Sequence, residues 1–143
     1  MYLLSNHNYY FKTQLLADLD MIYFSENQKI LTNKTEDCLA RCILRMHAQH
    51  SMVFGGMVRK LSINRNIDFY QGFVNVSEEL FVDNISWSKV VALYAFAARL
   101  GQFCIEHNMK DLLGSLTESL TRFSLEYLSS FLQSQGGWVS FSF

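Results

Sequence analysis

Residues that could bind a metal ion are concentrated in one short segment of the sequence. Cys38, Cys42, His47 and His50 follow one another at spacings of three to five residues. On one face of a helix, thiolate and imidazole groups at such spacings could together ligate zinc. Cysteine is also a common small core residue, and histidine often lies at surfaces or in grooves. We therefore interpret these residues as structural and predict no metal site.

Residues whose types and spacing could support catalysis are sparse. Glu78 and Glu79 are adjacent, so on a helix their side chains point about 100° apart, which is unsuitable for paired acid–base catalysis. Gly55-Gly56-Met57 is not followed by the Lys-Ser/Thr pair of a phosphate-binding loop. Cys104 lies in an apolar segment, where a thiol is expected to be buried and unreactive. The sequence therefore predicts a protein that is not an enzyme and needs no cofactor.

The composition requires a packed core. Of the 143 residues, 50% are hydrophobic and 15% aromatic, whereas 17% are charged, which excludes a disordered chain and fits one domain. The balance of 12 basic against 13 acidic residues lacks the basic excess of a nucleic-acid-binding protein. Three cysteines without a recognisable signal peptide argue against a disulfide-rich secreted domain. The longest apolar run, Val90 to Ala98, is shorter than the roughly 20 residues that a transmembrane helix needs.

Apolar residues at steps of three and four predict helices over almost the whole chain. We expect a first helix over residues 6–24, a polar loop from Ser25 to Lys34, and a capping box from Asn33 to Glu36 at the start of a second helix. Gly55-Gly56 within this second helix predicts a kink or a close backbone approach. The apolar stripe of the second helix consists of Leu39, Cys42, Ile43, Met46, Val53, Phe54, Met57 and Leu61.

The second half of the chain continues the pattern after a connection from Ser62 to Asp68. A third helix carries Asn75 as a candidate internal cap, and Ser86 can cap a helix from Trp87 to about His107. The middle of that helix is apolar on every face, as expected for a helix surrounded by others. The third helix has the stripe Phe69, Phe73, Val76, Leu80 and Phe81.

The last predicted helix begins at Asn108, which we expect to cap it, and Gly136-Gly137 ends or turns a following short segment. A final segment is expected from Trp138 to Phe143. The stripe of the helix after Asn108 consists of Met109, Leu112, Leu113, Leu116, Leu120, Phe123 and Tyr127. The sequence thus predicts an all-α bundle packed around one central apolar helix.

Two motifs in the second half of the chain resemble those of a known family. Glu79-Leu-Phe81, Asp83, the run from Ser86 to Ala92, and Phe96 resemble the first homology motif of the Bcl-2 family, ELFxDGxNWGRIVAFxxF. The run from Phe131 to Trp138 resembles the second motif, WIxxxGGW. Trp138 follows Ser88 by fifty residues, a separation that fits the family as well. The shortened chain and the drift of its motifs are similar to viral, in particular poxviral, pro-survival members.

The resemblance implies a single Bcl-2-like domain over residues 1–143 with a ligand groove on its surface. Pro-survival members capture the amphipathic Bcl-2 homology 3 helix of pro-death proteins, Bax- or Bak-like executioners and their activators. This capture prevents permeabilisation of the mitochondrial outer membrane. The expected localisation is the host cell cytoplasm. We expect the family's apolar tail to be absent from this chain, so that only a longer chain would reach the mitochondrial outer membrane.

The resemblance also implies which residues form the groove. An aspartate of the ligand helix pairs in the family with an arginine of the first motif, whose position is Lys89 here. Ser86 and Ser88 occupy neighbouring motif positions, and Met46 and His50 are looser candidates. The groove floor is expected to contain Val76, Leu80, Ala92 and Phe96, and the opposite wall Phe54, Met57 and Leu61.

Three of the departures from the family pattern concern the ligand. Ser86, Ser88 and Lys89 stand where the motif has asparagine, glycine and arginine. Serine can still cap a helix, and the added side chain of Ser88 is expected to narrow the range of ligands. Lysine keeps the charge of arginine but loses its bidentate geometry. We therefore expect a less strict salt bridge to the ligand.

Three alternatives stay open beside capture. A pro-death member would need its own killer motif, Leu-x-x-x-Gly-Asp, but the windows Leu39–Leu44 and Met52–Met57 both lack the aspartate. A viral inhibitor of immune-signalling adaptors with the same fold is the second alternative, although such proteins usually lack the two motifs. A helical interaction module whose groove is filled by its own residues is the third.

Overall fold

The structure is a computed structural model that describes residues 28–61 and 68–138. The predicted helix over residues 6–24 and most of the predicted segment from Trp138 to Phe143 lie outside the described residues. The described parts contain helices and no strand, which confirms the predicted all-α class. The α-helices are α1 (Gln28–Leu61), α2 (Phe69–Ser77), α3 (Trp87–Glu106), α4 (Leu113–Phe123) and α5 (Ser129–Ser134). Shorter turns are two 3-10 helices (Glu78–Phe81 and Lys110–Leu112) and one π-helix (Ser124–Leu128).

Helix α3 lies at the centre of the bundle, as the sequence predicted. Its cap is Ser86, whose hydroxyl oxygen accepts a hydrogen bond from the Lys89 N–H at 3.3 Å and thereby satisfies one N–H of the first turn. Every residue from Val90 to Ala98 except Ala92 is buried. Within the described residues, no helix combines the length and the hydropathy that crossing a membrane requires.

Helix α1 begins earlier than the sequence predicted. It starts at Gln28, so the predicted loop from Ser25 to Lys34 is helical from Gln28 onward, and Asn33 is not a cap. The loop was inferred from polarity, yet glutamine, lysine and glutamate are good helix formers. A polar stretch without a helix-breaking residue is therefore compatible with a helix.

The bend in α1 also differs from the prediction. It lies at His50, whose φ of −132° and ψ of 35° are not helical, and not at Gly55-Gly56. Gly55 is instead the predicted close approach, because a Cβ there would lie 3.3 Å from Nη2 of Arg99. Val53, predicted in the buried stripe, is 57% exposed, since the irregular residue changes the helical phase.

Helix α2 is capped by a residue that the sequence assigned to the preceding connection. The Asp68 carboxylate accepts hydrogen bonds from the N–H groups of Tyr70 at 3.1 Å and Gln71 at 3.4 Å. Asn75, the predicted internal cap, lies within the helix, and its side-chain oxygen accepts from Gln71 Nε2 at 2.9 Å. The helix ends at Ser77, and the following 3-10 turn continues its apolar stripe.

The segment after α3 contains two further departures. Asn108 does not cap a helix; it has a φ of 58°, a left-handed conformation that asparagine tolerates. The buried stripe of α4 consists of Leu116, Leu120 and Phe123. The π-helix then inserts an additional residue into one turn. Leu128 is therefore buried, whereas Tyr127, predicted to continue the stripe, is 42% exposed.

The two homology motifs meet in a cluster of rings that we term the aromatic joint, formed by Trp87, Tyr94, Phe131 and Trp138. The ring of Trp87 lies 5.4 Å from that of Phe131 and 5.5 Å from that of Trp138, and Tyr94 lies 5.3 Å from Trp138. The chain reaches this position through Gly136-Gly137, whose φ angles of 83° and 78° are readily adopted only by glycine. The predicted turn at these glycines is confirmed.

Candidate functional site

The residues predicted for the groove floor are divided between α3 and the segment formed by α2 and the 3-10 turn after it. Ala92 and Phe96 are one helical turn apart on α3; Ala92 is half-buried and Phe96 is fully buried. The Phe96 ring stacks on Phe73 of α2 with 5.6 Å between ring centroids and 22° between ring planes. The floor is therefore fixed by aromatic contact with α2, and Ala92 is its solvent-facing part.

The residues predicted for the walls are in the same apolar core. Phe54, Met57 and Leu61 follow one another along the part of α1 after the bend, with exposures of 3%, 8% and 7%. Val76 and Leu80 were predicted for the groove floor, but they lie on α2 and in the turn after it, where Val76 is 5% exposed and Leu80 is half-buried against the same cluster. We therefore treat this segment as the second wall. The structure thus brings these residues together, and it covers most of them from solvent. We call this set with Ala92 and Phe96 the candidate groove.

An ion pair joins the two walls at the surface. Lys60 Nζ lies 3.0 Å from Oε1 of Glu79, and the two side chains are 61% and 56% exposed. Lys60 directly precedes Leu61 on α1, and Glu79 directly precedes Leu80 in the 3-10 turn after α2. Glu79 was noted from the sequence only as a neighbour of Glu78 and as part of the first motif, and Lys60 was not singled out.

The polar end of the candidate groove lies at the start of α3. Lys89 Nζ donates to the side-chain oxygen of Asn84 at 2.7 Å and to the Asn84 carbonyl at 3.2 Å. Ser86 is half-buried at the helix cap, and Ser88 is exposed. Asn84 therefore holds the cation that the resemblance assigned to the ligand.

The two looser candidates lie near the bend of α1. Met46 is half-buried and His50 is exposed. Between them, His47 is buried, and its Nε2 donates to the Ala95 carbonyl of α3 at 2.8 Å. Its ring contacts that of Phe54 edge to face at 5.4 Å. His47 therefore fixes α1 to the central helix just before the bend.

The thiols and imidazoles do not converge on a metal site in the part of the chain that the structure describes. Cys38 and Cys42 are buried; burial, and then the neighbouring Cys38, raises the pKa of the Cys42 thiol. Burial raises the pKa of Cys104 to about 11, with a smaller contribution from Asp111. Such thiols are largely protonated at neutral pH and poor nucleophiles.

The wall formed by α2 is supported from the side opposite the candidate groove. The Tyr70 hydroxyl donates to Glu126 at 2.6 Å, and the Arg122 guanidinium lies 4.0 Å above the Tyr70 ring. The hydrogen bond from Tyr70, and then that from Arg122, lowers the pKa of the Glu126 carboxyl. Arg122 and Glu126 form a second exposed ion pair at 3.2 Å, so α2 is held to α4 and the π-helix away from the groove.

Comparison with known proteins identifies relatives of this arrangement. The model of the Bcl-2 family, described as apoptosis regulator proteins, matches residues 39–138. Chicken (Gallus gallus) Bcl-2-like protein 1 is 32% identical over 72 residues, which are 50% of this chain and 31% of the relative. The chicken Bcl-2-related ovarian killer protein is 30% identical over 89 residues, which are 61% of this chain and 42% of the relative. The chain spans less than half the length of these relatives.

Solved structures share the fold over nearly the whole chain. The crystal structure of chicken BOK superposes with a TM-score of 0.72 at 23% identity, covering 94% of this chain and 93% of that one. The structure of Trichoplax adhaerens trBcl-2L2 bound to trBak BH3 gives a TM-score of 0.74 at 19% identity, covering 93% and 95%. The family match extends from Leu39 to Trp138 and includes both motifs, the central helix and the aromatic joint. The chain therefore belongs to the Bcl-2 family of apoptosis regulators.

Proposed function

We propose that this protein is a pro-survival regulator that captures the Bcl-2 homology 3 helix of pro-death relatives in the candidate groove. The observation that carries the proposal is the convergence of apolar residues from α1, α2 and α3 beside the cation of Lys89. An amphipathic helix with apolar residues at i, i+3/i+4 and i+7 and one aspartate is complementary to such a surface. The trBcl-2L2 structure with a bound trBak BH3 supports the same use of this fold.

Most of the affinity is expected from apolar anchors, and the charge pair mainly sets the register of the ligand helix. Binding in the nanomolar range corresponds to about −10 to −12 kcal/mol, which four apolar anchors can supply once the groove is open. We expect binding, rather than catalysis, to be the activity of the protein. By preventing the ligand from acting, capture would block permeabilisation of the mitochondrial outer membrane.

A pro-survival role is favoured over a pro-death role by the segment in which a killer motif would lie. The window from Leu39 to Leu44 has Ile43 and Leu44 where the motif has glycine and aspartate, and both Leu39 and Ile43 have no exposed surface. An apolar face this deeply buried is not free to dock into another protein's groove. Relatives named as killers are also similar to the chain, so the direction of the effect needs a direct test.

We also propose an origin for the protein, the extent of its domain and the place where it acts. We propose a viral, in particular poxviral, origin because the drift of the first motif at Ser86, Ser88 and Lys89 resembles that of viral members. A single domain over residues 1–143 that acts in the host cytoplasm, and at mitochondria when a tail is present, follows from the same resemblance. Inhibition of an immune-signalling adaptor is the alternative that the experiment must distinguish.

The test is a calorimetric titration of the folded protein with a panel of Bcl-2 homology 3 peptides, run in parallel on the Lys89→Glu variant. We expect selective binding, weakened by about 1–3 kcal/mol in the variant, the range for a hydrogen bond to a charged group. Lys110→Glu is the matched control, since Lys110 is exposed and lies in the turn after α3, remote in sequence from the first motif. It should bind as the unmodified protein does.

The outcomes separate the alternatives. Unchanged affinity in Lys89→Glu would show that the ligand does not use this cation. No binding to any peptide at about 50 μM, where interactions weaker than about −6 kcal/mol escape detection, would contradict capture and favour the adaptor alternative. Peptide binding combined with promotion, rather than inhibition, of mitochondrial permeabilisation would assign the protein to the pro-death branch.

A further inference from the structure

The ion pair between Lys60 and Glu79 differs from that between Arg122 and Glu126 in what it connects. Arg122 and Glu126 are four residues apart on adjoining helical turns, so their ion pair does not join the two walls of the candidate groove. Lys60 and Glu79 are nineteen residues apart and belong to opposite walls of the candidate groove. Separating the two walls would therefore break the ion pair between Lys60 and Glu79 and leave that between Arg122 and Glu126 intact.

The residues beneath the ion pair are those that a ligand helix would have to reach. Leu61, next to Lys60, is 7% exposed, and Val76, three residues before Glu79, is 5% exposed. The walls also touch nearby, since a Cβ on Gly72 would lie 3.0 Å from Cδ1 of Leu61. An apolar anchor cannot contact these buried side chains unless the walls move apart.

The geometry points to a latch: Lys60 and Glu79 hold the candidate groove closed, and a ligand helix must break their ion pair to enter. This inference rests on the proposed function, because it takes the ligand to be an amphipathic helix. The latch is made of exposed charges, so water can solvate both partners once they separate. Its rupture should therefore be easy compared with that of a buried ion pair.

The latch has a signature that a simple binding contact lacks. If Lys60 and Glu79 oppose entry only through their mutual attraction, neutralising either one should speed ligand association by about the same factor. The expected increase is about two- to fivefold, because an exposed ion pair is weak. If instead each residue contacts a charge on the ligand, the two neutral variants should change binding in opposite directions or by unrelated amounts.

The experiment measures association of a labelled Bak BH3 peptide with the whole chain by stopped-flow fluorescence. The variants are Lys60→Gln, Glu79→Gln and the reversed pair Lys60→Glu with Glu79→Lys. Lys110→Gln is the control, since it removes an exposed cation in the turn after α3, outside the candidate groove. All variants are compared at low salt and at about 1 M salt, where the Debye length falls to about 3 Å.

The latch predicts faster association for both neutral variants, association close to that of the unmodified chain for the reversed pair, and no change for Lys110→Gln. It also predicts that high salt reduces the difference between the unmodified chain and the neutral variants. Peptide binding by the unmodified chain with no effect of Lys60→Gln or Glu79→Gln would overturn the latch alone. Absence of binding in every variant would overturn the latch together with the proposed capture.

Discussion

The aromatic joint and the candidate groove both lie against the central helix α3, but different forces hold them. In the joint, each of the four rings lies within 5.3–5.5 Å, between centroids, of Trp87 or Trp138, and Trp138 is 1% exposed. At the groove, apolar side chains are also buried, but the contacts that cross its edge are exposed charges and hydrogen bonds. The joint can open only by exposing large rings to water, whereas the groove edge can open into water at little cost.

This difference fits the proposed function, in which one region must keep the fold stable and another must open for the ligand helix. A large aromatic side chain buries about 150–250 Å², so its removal from water contributes several kcal/mol at about 25 cal/mol per Å². An exposed ion pair contributes only about 0–1 kcal/mol. The region that carries the fold is therefore the joint, and the region that can rearrange is the groove edge.

The largest effect is expected in the joint. Trp138→Ala should lower the free energy of unfolding by about 3–5 kcal/mol, because it removes a buried ring and leaves a cavity against Trp87 and Tyr94. Chemical denaturation measures this change as a lower midpoint. Val82→Ala is the control, since Val82 is 77% exposed and should change stability by no more than about 0.5 kcal/mol. A loss of stability as small as that of Val82→Ala would show that the joint does not carry the fold.

The next effect tests the groove side. Leu80→Ala should weaken peptide binding by about 2 kcal/mol or more, as expected for an anchor contact at an interface. Because Leu80 is only half-buried, its loss of stability should be smaller, near or below the low end of the 2–5 kcal/mol range for buried leucines. The measurements are calorimetry for affinity and denaturation for stability, on the same preparations.

Leu116→Ala is the matched control for that variant. Leu116 is fully buried in α4 and is not among the groove candidates, so it should lose stability while the folded fraction keeps its affinity. The comparison between joint and groove would fail if Leu80→Ala lost more stability than affinity. Leu80 would then be an ordinary core residue.

The sequence predicted the parts of the fold that local signals specify. The cap at Ser86 and the apolar run of α3 are determined by residues that are close in sequence. Both motifs can be recognised from the order of residues alone. The bend at His50 has no such signal, because it depends on how His47 docks on Ala95 of another helix. The π-helix at Ser124–Leu128 was missed for a similar reason, since a periodic stripe contains no information about one inserted residue.

The candidate site was predictable to a similar extent. The resemblance selected apolar residues that the structure brings together, but it did not reveal that most of them are covered. Burial depends on the positions of the walls, which residue types alone do not specify. Asn84 was also missed, because its role is visible only through the hydrogen bonds that Lys89 makes to it.

The smallest effect concerns Asn84. The Lys89 ammonium has three N–H donors, and Asn84 uses two of them, so one donor remains for a ligand carboxylate. Holding Lys89 in place before binding removes part of the side-chain entropy that binding would otherwise cost, about 0.5–1.5 kcal/mol for a flexible side chain. Asn84→Ala should therefore weaken peptide binding by about this amount, because it deletes the shorter of the two hydrogen bonds and keeps the backbone carbonyl.

A double-mutant cycle with Lys89→Met decides whether the effect passes through Lys89. If Asn84 positions the cation, Asn84→Ala should have no effect on affinity once Lys89 is methionine. Asp83→Ala, at the exposed neighbouring position, controls for a general change in the loop. Equal losses in both backgrounds would show that Asn84 contacts the ligand itself. A gain in affinity would show that Asn84 competes with the ligand for Lys89.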